Sequence, residues 1–117
     1  MRYITGMKVK LEDELFTVSE SCSRIVTESY STSFTLATKM LDSSIRQDIY
    51  NIYGFVRFAD EIVDSFHDFN KEELLNLFEL DLKKSIKDKI SLNPILNSFQ
   101  KTLNKYEIDY ELVNRFL

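Results

Sequence analysis

Tyr53, Arg57, Asp60 and Asp64 stand four, three and four residues apart. On an α-helix, at about 100° per residue, all four fall within a stripe roughly 60° wide. A phenol, a guanidinium and two carboxylates then project together. Carboxylates on an otherwise apolar helix are costly to bury unless a cation, a bound metal or water in a cleft compensates them. Two arrangements meet that demand: Arg57 neutralises Asp60 and Asp64 as a plain ionic cluster, or the acids hold a metal for a reacting ligand. Upstream, Tyr30-Ser31-Thr32-Ser33 sets four hydroxyls in succession before Phe34. Taken alone, this segment reads first as a helix-capping turn, because Ser and Thr collect at helix starts. The alternative is a hydroxyl patch whose free amides receive phosphate oxygens.

The element that must position the stripe is a long helix from Ser44 to Phe66. Ser44 followed by Gln47 has the spacing of a capping box and predicts its start. Ile45, Ile49, Ile52, Val56, Ala59 and Val63 recur at alternating steps of four and three, so this row is expected to face the core. Phe55, Phe58, Ile62 and Phe66 cover most of the opposite side. The composition around this helix is all-α. Two glycines and one proline in 117 residues leave little to build hairpin turns, and no apolar/polar alternation is sustained. At 44% hydrophobic residues, the chain has enough for one domain core.

Net charge −4 without a basic tract excludes nucleic acid as a partner. Cys22 has no second cysteine to pair with, so a reducing, cytoplasmic setting fits best. The chain contains no apolar run of membrane-spanning length and no signal-peptide block, while peripheral contact with a membrane stays open.

Along the chain, 1–10 reads as an extension without periodicity, and 11–117 as helical. A first helix from Leu11 to about Glu28 is expected to bury Leu15, Val18, Cys22, Ile25 and Val26, with Cys22 as a small core residue. A short helix through Leu36, Ala37, Met40 and Leu41 follows the hydroxyl segment. His67 reads as a loop residue. Asn70 with Glu73 opens a helix whose inner side is Leu74, Leu75, Phe78, Leu82 and Ile86, and Lys83, Lys84, Lys87 and Lys89 suit its negative end. Asn93-Pro94 starts another, with Ile95, Leu96, Phe99, Leu103 and Tyr106 inward. Asp109 begins a last helix through Leu112, Val113, Phe116 and Leu117, where the sequence stops within an apolar pattern.

Ser31-Thr32-Ser33-Phe34, followed by Ile49-Tyr50-Asn51-Ile52-Tyr53-Gly54-Phe55-Val56-Arg57-Phe58-Ala59-Asp60-Glu61-Ile62-Val63-Asp64, resembles the phytoene and squalene synthase family. Its members carry an SxSF-type segment and then a YAFxRxxDDxxD-type helix. The Asn93-Pro94-Ile95-Leu96 helix and the Tyr106-Glu107-Ile108 turn are similar to the family's next elements. The resemblance implies an all-α class I isoprenoid (terpenoid) synthase bundle and head-to-head joining of two prenyl diphosphates, geranylgeranyl or farnesyl. By position, it implies that Asp60 and Asp64 form the first aspartate-rich motif, holding Mg²⁺ or Mn²⁺ against diphosphate oxygens. Arg57, Ser31 and Ser33 fall at diphosphate-contacting positions, and Tyr53 and Phe34 at positions lining the cavity. Glu61 stands where many members have a second Asp and is a third candidate metal ligand.

Members also carry a second aspartate-rich motif on a later helix. None follows before Leu117, so the expectation is the N-terminal part of such an enzyme, inactive alone and self-associating through the surface it leaves uncovered. The competing expectation is a family-related assembly module without catalysis.

Overall fold

The computed structural model describes residues 5–65 and 68–116, with side chains for 11–65 and 68–115. Among the described residues there are six helices and no strand: α1 (Thr5–Tyr30), α2 (Thr32–Lys39), α3 (Ser43–Asp64), α4 (Lys71–Asp88), α5 (Pro94–Lys105) and α6 (Tyr110–Phe116). α1 packs along both α3 and α5, and α3 lies between α1, α4 and α5. The expected extension is thus partly helix, since α1 begins at Thr5. Phe66 and His67 lie outside the described residues, as does Leu117. No described helix is long and apolar enough to cross a membrane.

Three helix starts follow the sequence reading, that of α6 with Asp109 accepting from the Glu111 amide at 3.2 Å. Asn70 accepts from the Glu73 amide at 3.1 Å, and Asn93 accepts from the Ile95 and Leu96 amides at 3.0 and 3.2 Å, with Pro94 at the first helical position. Each satisfies donors that the first turn leaves open. The start of α3 differs. Asp42 is the cap, its carboxylate accepting from the Ser44 amide at 2.8 Å. Gln47 is drawn away from capping, donating instead to the Glu20 carbonyl at 2.9 Å and to Asn51 Oδ1 at 2.8 Å.

The apolar core is built by Phe55 and Ile62 of α3, Phe78 and Leu82 of α4, Ile95, Leu96, Phe99 and Leu103 of α5, and Val113 of α6. Phe55 and Phe99 stack at 3.9 Å between centroids, and Leu74, Leu75, Ile86 and Cys22 pack against the cluster from its margin. The inner faces of α4 and α5 therefore follow their periodicity, apart from Tyr106. That residue caps α5, and its side chain is largely outside.

The inner faces of α1, α2 and α3 are not the apolar rows. On α3 the buried residues are Asp48, Tyr50, Asn51, Gly54, Phe55, Ala59 and Ile62; Ala59 alone belongs to the expected row, and the line Asp48, Asn51, Phe55, Ala59, Ile62 lies about a quarter-turn from it. Ile45, Ile52 and Val63 are exposed, Ile49 and Val56 half-buried, and Phe58 exposed rather than covered. On α1, Ser19, Ser23 and Thr27 are fully buried while Val18 and Ile25 face out. On α2, Thr35 and Thr38 are buried, whereas Leu36, Ala37, Met40 and Leu41 are exposed. Small side chains let helix backbones approach closely, and Gly54 faces Ser23 so tightly that a Cβ there would lie 3.2 Å from the Ser23 Cα.

The buried hydroxyls and amides are paired. The Ser23 and Ser98 hydroxyls share a hydrogen bond, Asn97 donates to Ser19 at 3.0 Å and Asn51 to Thr102 at 3.0 Å. A polar, small-residue interface between α1, α3 and α5 thus takes the place of an apolar one.

At the base of that interface Asp48 accepts three donors of α5 and its cap: Thr102 Oγ1 at 3.2 Å, Lys105 Nζ at 2.8 Å and Tyr106 Oη at 2.6 Å. Burial alone pushes its carboxyl up, but the bonds from Lys105, Tyr106 and Thr102 outweigh burial and hold it below the ordinary value. α6 is tied to α4 where Tyr110 donates to Glu79 at 3.1 Å. Burial and that carboxylate push the Tyr110 phenol up to about 12.

Candidate functional site

The break between α1 and α2 places the hydroxyl segment against the middle of α3. Ser31 is the N-cap of α2, its side chain accepting from the Phe34 amide at 3.1 Å, so the capping reading of that residue is met. The cap turns Phe34 onto Tyr53, and the two rings stack at 4.5 Å with 22° between planes. Tyr30, the last residue of α1, lies under the Arg57 guanidinium, 4.4 Å from Cζ to the ring centroid. Phe34 therefore meets Tyr53 and Tyr30 meets Arg57, whereas Ser31 bonds within the turn itself and Ser33 is exposed on the outer side of α2.

The ionic partner of Arg57 is neither Asp60 nor Asp64. Its Nη2 donates to Glu61 Oε2 at 2.6 Å, with both side chains 28% exposed, and the Ser65 hydroxyl donates to Glu61 Oε1 at 2.6 Å. Glu61 thus has both oxygens engaged, while Arg57 Nε is buried without an acceptor. Asp60 and Asp64 are exposed and take part in none of the ion pairs among the described residues. The simple cluster of Arg57 with these two acids is therefore not formed, and the expected burial of the two carboxylates is not found. The described residues contain no grouping of three metal-ligating side chains.

Between this polar stripe and the core, α3 carries the row Ile45, Ile49, Ile52, Val56 and Val63, largely uncovered. Beside it a cleft of about 250 Å³ opens between α3, α5 and α6, lined by Ile52, Val56, Leu103, Ile108 and Leu112 among others. One helix thus presents two free carboxylates, a guanidinium and an apolar track side by side.

The squalene/phytoene synthase family model matches residues 27–117. The chain belongs to that family. The match starts at Thr27, three residues before Tyr30, and takes in the hydroxyl segment, the α3 stripe and everything to α6. Membership makes this a protein of a prenyltransferase-type enzyme family, and its six helices agree with the all-α bundle expected. No curated protein and no solved structure matches the chain.

Two contacts of Arg57 escaped the sequence reading, which took Glu61 as a third candidate metal ligand and Tyr30 only as part of the hydroxyl segment. Glu61 lies four residues after Arg57, the spacing of a helical ion pair, so its pairing was available as a signal. Tyr30 had no such signal, because its contact depends on how α1 ends against α3.

Proposed function

We propose that the chain carries the diphosphate-binding helix of a prenyltransferase that joins two prenyl diphosphates, geranylgeranyl or farnesyl, head to head. The observation that carries the reading is the pairing on α3 of two unengaged carboxylates, Asp60 and Asp64, with an uncovered apolar row beside them. A ligand with a polyanionic head and a long hydrocarbon tail matches both at once.

Mg²⁺, or Mn²⁺, fits this donor set. Two oxygen ligands one helical turn apart, not neutralised by Arg57, suit a hard cation that takes its remaining ligands from phosphate and water. When bound, the ion would neutralise diphosphate charge as the allylic C–O bond breaks. Asp60 and Asp64 hold it in this reading, and Glu61, occupied by Arg57 and Ser65, does not. Arg57 offers a planar, permanently charged donor to diphosphate oxygens, with Tyr30 of the hydroxyl segment against its guanidinium. The stacked Phe34 and Tyr53 rings form an apolar wall that excludes water and can face a carbocation.

The test is calorimetric titration of the chain with farnesyl and geranylgeranyl diphosphate, with and without Mg²⁺, repeated on Asp60→Asn and Asp64→Asn. Each substitution keeps shape and removes one charge. Neither acid is paired, so the unfolding free energy should change by no more than the ±0.5 kcal/mol typical of surface substitutions, while Mg²⁺-dependent binding falls at least tenfold in both. Metal-dependent binding that survives in Asp60→Asn would sink the assignment.

A further inference from the structure

We propose that Tyr30 is a positioning residue for the anion contact made by Arg57, an inference that rests on the diphosphate reading above. Arg57 is the only stripe cation, and the long side chain of an arginine has many rotamers to lose on binding. Here two groups remove that freedom. Glu61 fixes one guanidinium nitrogen at 2.6 Å, and the Tyr30 ring, 4.4 Å away, supports the guanidinium as a platform.

The arrangement differs from a satisfied ion pair in one respect: Nε has no acceptor although it is buried. With Nη2 held by Glu61 and Nε enclosed, the N–H groups left to an arriving anion are those of Nη1, so its affinity depends on how firmly the guanidinium is held in place. Stacking on an aromatic face leaves the in-plane N–H edge, which recognises phosphate oxygens, unobstructed by the ring. Tyr30 is itself 54% exposed, so little of the fold depends on it. Its ring ends α1 one residue before the Ser31 cap, so the hydroxyl segment and Arg57 are held in register by the same side chain.

The probe is inorganic pyrophosphate with Mg²⁺, titrated calorimetrically into the full chain, alongside thermal melting. Tyr30→Leu should weaken binding by about threefold to tenfold, the range of a partly exposed cation–aromatic contact, with melting unchanged. Tyr30→Phe, which keeps the ring and loses only the hydroxyl, should bind like the wild type. In an Arg57→Gln background, itself much weaker, Tyr30→Leu should add nothing, because the ring acts only through the guanidinium.

Equal affinity of Tyr30→Leu and wild type overturns the proposal. So does a Tyr30→Phe variant as weak as Tyr30→Leu, which would mean the hydroxyl touches the anion directly. An additive loss in the Arg57→Gln background also overturns it. Should Tyr30→Leu fail to fold, Tyr30→Gln carries the same comparisons. If Arg57→Gln binds pyrophosphate as the wild type does, or the wild type binds none, the diphosphate reading itself fails and takes this proposal with it. The first three outcomes leave that reading intact.

Discussion

Replacing Asp48 with Asn tests whether α3 is clamped by charge. Asp48 is 9% exposed and its two oxygens accept from Thr102 at 3.2 Å, Lys105 at 2.8 Å and Tyr106 at 2.6 Å. An asparagine of the same shape keeps one acceptor and turns an NH₂ toward groups that are themselves donors. A hydrogen bond to a charged group contributes about 1.5–3 kcal/mol, but the Lys105 side chain is half exposed, so solvent screens its part. The expected loss is about 2 kcal/mol, a fall in melting temperature of roughly 6–12 °C for a domain of this size.

The pH dependence supplies a second arm. The folded Asp48 carboxyl sits below its unfolded value, so its contribution is fully present above pH ~4 and is lost as pH falls through the folded value. Lys105 is raised chiefly by the hydrogen bond to Asp48, so its contribution is present below pH ~10.4 and is lost as pH rises through its folded value. The gap between wild type and Asp48→Asn should therefore hold from about pH 5 to 9 and close toward pH 3, followed by thermal melts in matched buffers. A variant that melts within 2 °C of wild type at neutral pH would refute the reasoning, as would a gap that stays constant into acid.

Two further substitutions probe how closely the helices meet. In Gly54→Ala, the new methyl lies 3.1–3.2 Å from Ser23 Oγ, Cβ and Cα, so α1 must withdraw by a few tenths of an ångström. Overpacking of about 1–3 kcal/mol then exceeds the roughly 1 kcal/mol that alanine gains in a helix, and denaturant melts should show a net loss near 1 kcal/mol; a stabilised variant would mean that α1 yields freely. Phe99→Ala removes the ring stacked on Phe55 at 3.9 Å and should lower stability by about 3–5 kcal/mol, seen as loss of cooperative melting by circular dichroism; a loss below 1 kcal/mol would show that the core collapses to fill the space.

Much of α4 and α5 was legible in the sequence because their buried faces are apolar and their starts carry unambiguous caps. Asn70 has no hydroxyl beside it, and the hydroxyl near Asn93, Ser91, accepts from the Asn93 amide at 3.1 Å and so does not compete for the helix donors. At α3, Asp42, Ser43 and Ser44 compete for the same amides. The carboxylate wins, since an acid at a helix start also answers the dipole. The orientation of α1 to α3 was not legible for a different reason: α1 buries Ser19, Ser23 and Thr27, and α3 buries Asp48, Asn51 and Gly54 along with its apolar residues. Hydrophobic periodicity does not register a face whose cohesion comes from close approach and paired polar groups. The stripe of Tyr53, Arg57, Asp60 and Asp64 depends only on helical spacing and so stood out at once, but which acid Arg57 chooses depends on rotamers.

The displaced face of α3 bears on the chemistry. Burying an Ile or Val side chain stabilises a fold by about 1.5–3 kcal/mol, yet Ile45, Ile52 and Val63 are exposed while Asp48 and Asn51 occupy the interior of the same helix. Rotating α3 by about a quarter-turn would bury the apolar row, but it would break the Asp48 and Asn51 bonds to α5 and carry the Asp60 and Asp64 stripe toward the core face, where unpaired carboxylates are strongly unfavourable. The polar bonds from Thr102, Lys105 and Tyr106 therefore do more than hold two helices together. They select the rotation in which the carboxylates stay free and the apolar row lies alongside them. An ionic cluster would need no such arrangement, since Arg57 already has Glu61. On the proposed reading, a ligand with an anionic head and a hydrocarbon tail would meet both surfaces on one helix, and the small and polar residues between α1, α3 and α5 hold α3 in the rotation that offers them.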